Sequence, residues 1–190
     1  TGQDSFGAPQ TILDASAVSN PIPESDTASY PTWSPDSQKI AFAHGTGARS
    51  ESDAAALYIV NRDGQSVARL TNASGGISTE HSFQPNFSPF EAGGYYWLSF
   101  LSTRPYGNAE VGTRDEDAFQ QIWVAAIEKN ASPGADPSAV AYWLPGQSVE
   151  SRNIAGFWAP RACREDGSSC NVGSECCSGE CVPGSDGELT

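Results

Sequence analysis

Residues 30–43 read YPTWSPDSQKIAFA, and within them Pro31-Thr32-Trp33-Ser34-Pro35 recurs as Pro85-Asn86-Phe87-Ser88-Pro89, 54 positions later (85 less 31). Each copy is followed by a short gap and an aromatic-rich run. It continues with a loop, a second apolar run (ALYIV; QIWVAAI), a turn and a third (SVARL; AVAYWL). Self-similarity at a fixed period marks a chain built from repeated supersecondary units. A weaker third copy starts at Gly156-Phe157-Trp158-Ala159-Pro160, where Ala159 replaces the serine and nothing comparable follows.

Working outward from the repeat, the apolar runs are short, rich in β-branched and aromatic residues, and bounded by Gly, Pro, Asn and Asp, so they read as strands. Six are predicted: residues 39–43, 56–60, 66–70, 95–101, 121–127 and 139–144. Between the second and third, Asn61-Arg62-Asp63-Gly64 predicts a hairpin turn, its Asp-Gly pair tolerating the positive φ that a tight reversal needs. Helical periodicity is almost absent.

These residues are where a family becomes visible. Tyr30 to Ala43, completed by Leu57-Tyr58-Ile59-Val60 and Arg69-Leu70-Thr71, closely resembles the TolB-like β-propeller repeat. The resemblance covers residues 28 to 160 and is more specific in the first copy. The second has Phe90 where the aspartate is expected and a long insertion at residues 104–117. Residues 134–138 and 142–147 look like the version of the repeat found in large exported proteins of soil-type bacteria. The resemblance implies one four-stranded blade per repeat, with Pro31, Trp33, Ser34, Pro35, Asp36 and Pro85, Phe87, Ser88, Pro89 forming the turn into each blade. In that reading the prolines confine the turn, and Trp33 or Phe87 plugs the space between neighbouring blades.

All five cysteines fall between Cys163 and Cys181, in a Gly/Ser-rich acidic stretch. Such clustering is the composition of an extracellular disulfide knot. Its spacing, Cys163-x6-Cys170-x5-Cys176-Cys177-x3-Cys181, resembles a knottin framework, which carries six cysteines and an adjacent Cys-Cys pair. The family pattern implies Cys163 with Cys177 and Cys170 with Cys181, and leaves Cys176 free or paired outside the chain, its partner expected beyond Thr190. A zinc site is disfavoured, because the usual C-x2-C pairs are missing.

The expectation is therefore an all-β chain: an N-terminal extended segment or strand of a preceding blade (1–27), about two four-stranded propeller blades plus a partial third (28–160), and a small disulfide-rich, knottin-like and truncated segment (161–190). A propeller closes with about four to eight blades. The chain is accordingly expected to be a piece of a longer polypeptide, or to hide its open blade faces against another chain or further copies of itself.

Against 23 Asp and Glu stand only 10 Lys and Arg, a net charge of −13 that disfavours nucleic acid and anionic lipid as partners. No run approaches the length of a membrane helix, so no membrane insertion is expected. There is no G-x-S-x-G, H-E-x-x-H, P-loop or G-x-G-x-x-G, leaving the common catalytic chemistries without an anchor. His44 and His81, 37 residues apart, are read as polar loop residues near a blade rim. Ser34 and Ser88 sit in the repeat turn, which gives them a structural role ahead of a nucleophilic one.

No cofactor is expected beyond Ca²⁺, for which Asp115, Glu116 and Asp117 in the long insertion offer hard carboxylate oxygens. Glu51 and Asp53 occupy the matching loop of the first copy. Tyr95, Tyr96, Trp97, Tyr142, Trp143, Phe157 and Trp158 are assigned mainly inward, filling gaps between blades. Asn72, Asn86 and Asn130 each open a glycosylation triplet, a pattern that also arises by chance. The functional expectation is a non-enzymatic, secreted or cell-surface binding and assembly module of bacterial type, engaging a protein or glycan, with strand addition at a blade edge as one docking mode. The alternatives are a fragment of a secreted propeller hydrolase or lyase, and a structural subunit of an extracellular filament or surface layer.

Overall fold

The computed structural model describes residues 7–18, 27–46, 54–76, 81–104, 119–148, 151–159, 168–170 and 181–183. Glu51, Asp53, Asp115, Glu116, Asp117, Cys163, Cys176 and Cys177 lie outside them. The chain divides into two compact units, Thr1–Phe157 and Trp158–Thr190.

Among its described residues the first unit is all β apart from a 3₁₀ turn at Ala15–Ala17. Its strands are β1 (Thr27–Trp33), β2 (Lys39–Gly45), β3 (Ala55–Asn61), β4 (Ala68–Arg69), β5 (Ser82–Phe87), β6 (Tyr95–Ser102), β7 (Gln121–Glu128) and β8 (Tyr142–Trp143). They form two four-stranded antiparallel meanders, β1-β2-β3-β4 and β5-β6-β7-β8.

The two sheets share one register. Trp33 opposes Ile40 as Phe87 opposes Leu98, Thr32 opposes Ala41 as Asn86 opposes Ser99, and Tyr58 opposes Arg69 as Trp123 opposes Trp143. Both first strands carry an irregularity at the same place, between Ser29 and Thr32 and between Phe83 and Asn86. There the residue before the proline, Tyr30 in one copy and Gln84 in the other, takes a left-handed φ of 52° and 47°. Side chains rarely adopt that region outside glycine, and its repetition identifies a built feature of the strand.

This corrects the reading of the motif as a turn. Pro31, Trp33, Pro85 and Phe87 lie inside β1 and β5, and the turn itself starts only at Ser34 and Ser88. Proline is tolerated because both strands are sheet edges and the bulge interrupts the ladder where proline has no N–H to give. Conversely, the third predicted strand of each copy shrinks to two residues, β4 and β8. The hairpin at Asn61 forms as read, with Gly64 at φ 81° and the Gln65 N–H donating to the Asp63 carboxylate at 3.0 Å.

Alternation gives each sheet two faces. One carries Trp33, Ile40, Phe42, Tyr58 and Val60 in the first sheet, and Phe87, Leu98, Phe100, Trp123 and Ala125 in the second; it is called the entry face. The other, the exit face, carries Ala41, Ile59 and Ala68 in the first sheet and Ser99, Val124 and Tyr142 in the second. The main core joins the exit face of the first sheet, with Leu57 and Leu70, to the entry face of the second. The sheets thus stack head to tail rather than as a sandwich of like faces. On the first sheet's entry face a smaller core forms where Leu13 and Val18 of the N-terminal segment close over Ile40, Phe42, Tyr58 and Val60.

Candidate interaction surface

Each motif serine organises its own turn. The Ser34 hydroxyl donates to the Asp36 carboxylate at 2.6 Å and accepts from the Lys39 N–H at 2.9 Å. The Ser88 hydroxyl donates to the Phe90 carbonyl and accepts the Phe90 N–H. Both hydroxyls are engaged within their own turns.

The seam between the sheets is held by polar groups. Tyr96 donates its hydroxyl to the second carboxylate oxygen of Asp36 at 2.5 Å, while Lys129 pairs with Glu91 and lies 5.5 Å from the Tyr96 ring. Burial raises the Asp36 pKa, but hydrogen bonds from Ser34, Tyr96 and the Gln38 N–H outweigh it and leave the carboxyl below its ordinary value. Burial, followed by the Asp36 carboxylate, pushes the Tyr96 phenol well above its usual range. Thr32 of the first sheet accepts the Phe87 N–H of the second at 3.1 Å. The link from β4 to β5 is clamped by the β7–β8 loop: Asn72 N–H to the Asp136 carboxylate at 2.8 Å, and Ala73 N–H to the Ser138 hydroxyl at 3.0 Å.

At the opposite end of the strands, side chains grip the segment that leads into their own sheet. His44 Nε2 lies 3.2 Å from the Ala15 carbonyl, and Arg104 Nη1 donates to the Ala73 carbonyl at 2.8 Å. His44 is fully buried in β2 with its ring edge-on to Tyr58, which corrects its assignment to a polar rim loop; His81 is exposed. The Arg104 guanidinium lies 3.7 Å from the centre of the Trp123 ring, and burial pushes its pKa down to about 10. Among the described residues no three His, Cys, Asp or Glu side chains come together as a metal site.

The surface that stands out is the exit face of the second sheet. Its counterparts in the first sheet are sealed, Ala68 at 6% and Leu70 at 0% exposure, whereas Tyr142 is 49% and Leu144 36% exposed. Val140, Ile154 and Phe157 add further exposed apolar side chains. Residues 151–157 cover this face only in part. Asn86 donates to the Gly156 carbonyl at 2.9 Å, Asn153 bonds to Gln120 and Gln147, and Gly156 leaves only van der Waals room over Ile122. Gln147 uses its amide like a strand partner, accepting the Ile122 N–H at 2.7 Å and donating to the Ile122 carbonyl at 2.8 Å. The backbone of β7 is therefore already bonded at Ile122, next to the short β8, and strand addition is blocked at that position.

The motif rings also diverge. Phe87 is 4% exposed, but Trp33, at the same register, is 48% exposed. Of the two motif rings, Phe87 alone is buried, in the core between the two sheets. The aromatic set assigned inward is mixed as well: Tyr96 is buried and Trp143 packs on the main core, while Tyr95, Tyr142 and Phe157 are exposed. The sequence placed Asp136 and Ser138 in a repeat segment and Leu144 at the end of a strand, without marking any of them as a contact residue. Of the glycosylation triplets, Asn72 and Asn86 spend their side-chain amides on the Ser138 and Gly156 carbonyls.

In the second unit Cys170 and Cys181 are joined by a disulfide, with Cα atoms 6.0 Å apart. No helix among the described residues is long and apolar enough to cross a membrane. The disulfide is compatible with an extracellular protein.

No protein-family model matches the chain, and no curated protein matches it. Among solved structures, the crystal structure of an ancestral GH74 enzyme is similar at a TM-score of 0.42 and 11% identity, over 63% of this chain. The chain spans 13% of that enzyme's length.

Proposed function

We propose that the chain is a non-catalytic binding and assembly unit, made of two TolB-like propeller blades and a knottin-like C-terminal segment, that works outside a bacterial cell. The exit face of the second sheet is its docking surface. One observation carries this: Tyr142 and Leu144 are open at the very register positions where Ala68 and Leu70 are sealed by a neighbouring sheet. A face that receives a sheet in one copy of a repeat is suited to receive one in the next, and contiguous exposed apolar side chains mark contact surfaces. The net charge of −13 makes the strength of any association on this face depend on salt. The turn duties of Ser34 and Ser88 and the burial of His44 support a structural use of these three residues.

An environment-sensitive apolar dye tests the surface directly. The native chain is expected to bind it, and Tyr142→Ser with Leu144→Ser to abolish most of that binding with the near-ultraviolet circular dichroism unchanged. A native chain that ignores the dye, or a variant that binds it equally, contradicts the reading.

A further inference from the structure

Leu13 does for the first sheet what Leu70 does for the second. Leu70 lies in the core over the second sheet's entry face, and Leu13 packs on the first sheet's entry face. Each is followed within three residues by a carbonyl that the covered sheet grips, Ala73 by Arg104 and Ala15 by His44. Leu144 is the third such leucine, at the same offset from β8 as Leu70 from β4, and among the described residues it covers no entry face.

Among the described residues the chain therefore holds one exit face covered only in part, by residues 151–157, and one entry face closed by Leu13 and Val18 instead of by a sheet, with Trp33 left exposed. The internal seam shows which surface an exit face accepts: an entry face, in one orientation, with the motif ring sealed between. Resting on the docking reading above, we propose that the occupant is a second copy of this chain. Leu144 and Tyr142 of one molecule take the place that Leu13 holds on the next, and Trp33 enters the new seam as Phe87 enters the internal one. Such a contact joins unlike surfaces, so copies add one after another, either closing into a ring or leaving an open face at each end. The N-terminal segment acts as its competitor, keeping dilute chains single. The charge of −13 adds repulsion between copies, which salt screens.

Sedimentation velocity of the full chain across a range of concentrations, in about 0.5 M salt to screen the charge, tests this. Leu13→Asp, which loosens the cover, is expected to shift the mass from 20.0 kDa to a ladder of its multiples. Leu13→Asp with Leu144→Asp is expected to return it to a single copy. A Leu13→Asp chain that stays single throughout, or a ladder that survives Leu144→Asp, overturns the proposal.

Should Leu13→Asp fail to fold, a second pair of variants at exposed positions decides. Trp33→Asp and Leu144→Asp each stay single alone, and their mixture stops at a dimer at the highest concentrations. A mixture with no dimer overturns the proposal. Dye binding that depends on Tyr142 and Leu144, without any association, overturns the second copy as occupant and leaves the docking face standing.

Discussion

Asp36 ties the turn of the first sheet to Tyr96 of the second, and its ionisation is part of what holds the seam. Its folded pKa lies below the unfolded value of 3.8, so the unfolded chain takes up the proton more readily. The stabilisation is complete above that value and drains away as pH falls through the lower, folded one. Thermal melts between about pH 5 and about pH 2.5 are expected to fall more steeply for the native chain than for Asp36→Asn; equal slopes contradict the assignment. Tyr96→Phe is expected to cost about 1 kcal/mol near neutral pH, the ordinary worth of a hydrogen bond to a partly exposed charge. The sequence marked Asp36 as a motif residue and Tyr96 as an inward ring, with no sign that the two would bond across 60 positions. A bond across two sheets leaves no local periodicity to read.

The repeated bulge explains why β1 and β5 escaped a strand reading. Prolines within TASYPTW and SFQPNF look like punctuation, yet edge position and a left-handed residue before each proline let the strand continue past it. At Gln84 a β-branched side chain suffers most in that conformation, whereas glycine adopts it freely. Gln84→Val is expected to destabilise by about 1–2 kcal/mol in denaturant titration, with Gln84→Gly close to neutral. Equal losses from both would show that the side chain, not the backbone, matters there. The long strands β2, β3, β6 and β7 were legible because their apolar and aromatic runs are buried on both faces. β4 and β8 were overextended, since SVARL and AVAYWL keep the pattern of a strand where only two residues pair.

Head-to-tail stacking is the property of the whole molecule from which the proposed docking surface follows. The repeat at Pro31 and Pro85 announced two equivalent units, but not which face meets which. That depends on the exit face of one sheet supplying small residues, Ala41 and Ala68, beneath the large Phe87, Phe100 and Trp123 of the other. Nor did the motif alone show that its two rings would differ, because Trp33 and Phe87 are matched in register and separated only by what lies over them. Residue-resolved hydroxyl-radical footprinting by mass spectrometry, with each rate divided by that of the same residue in the denatured chain, measures that cover directly. Stacking of an exit face on an entry face predicts strong protection at Phe87 and Leu70, with little at Trp33 and Tyr142. Like protection at Trp33 and Phe87, or a freely labelled Phe87, would contradict it.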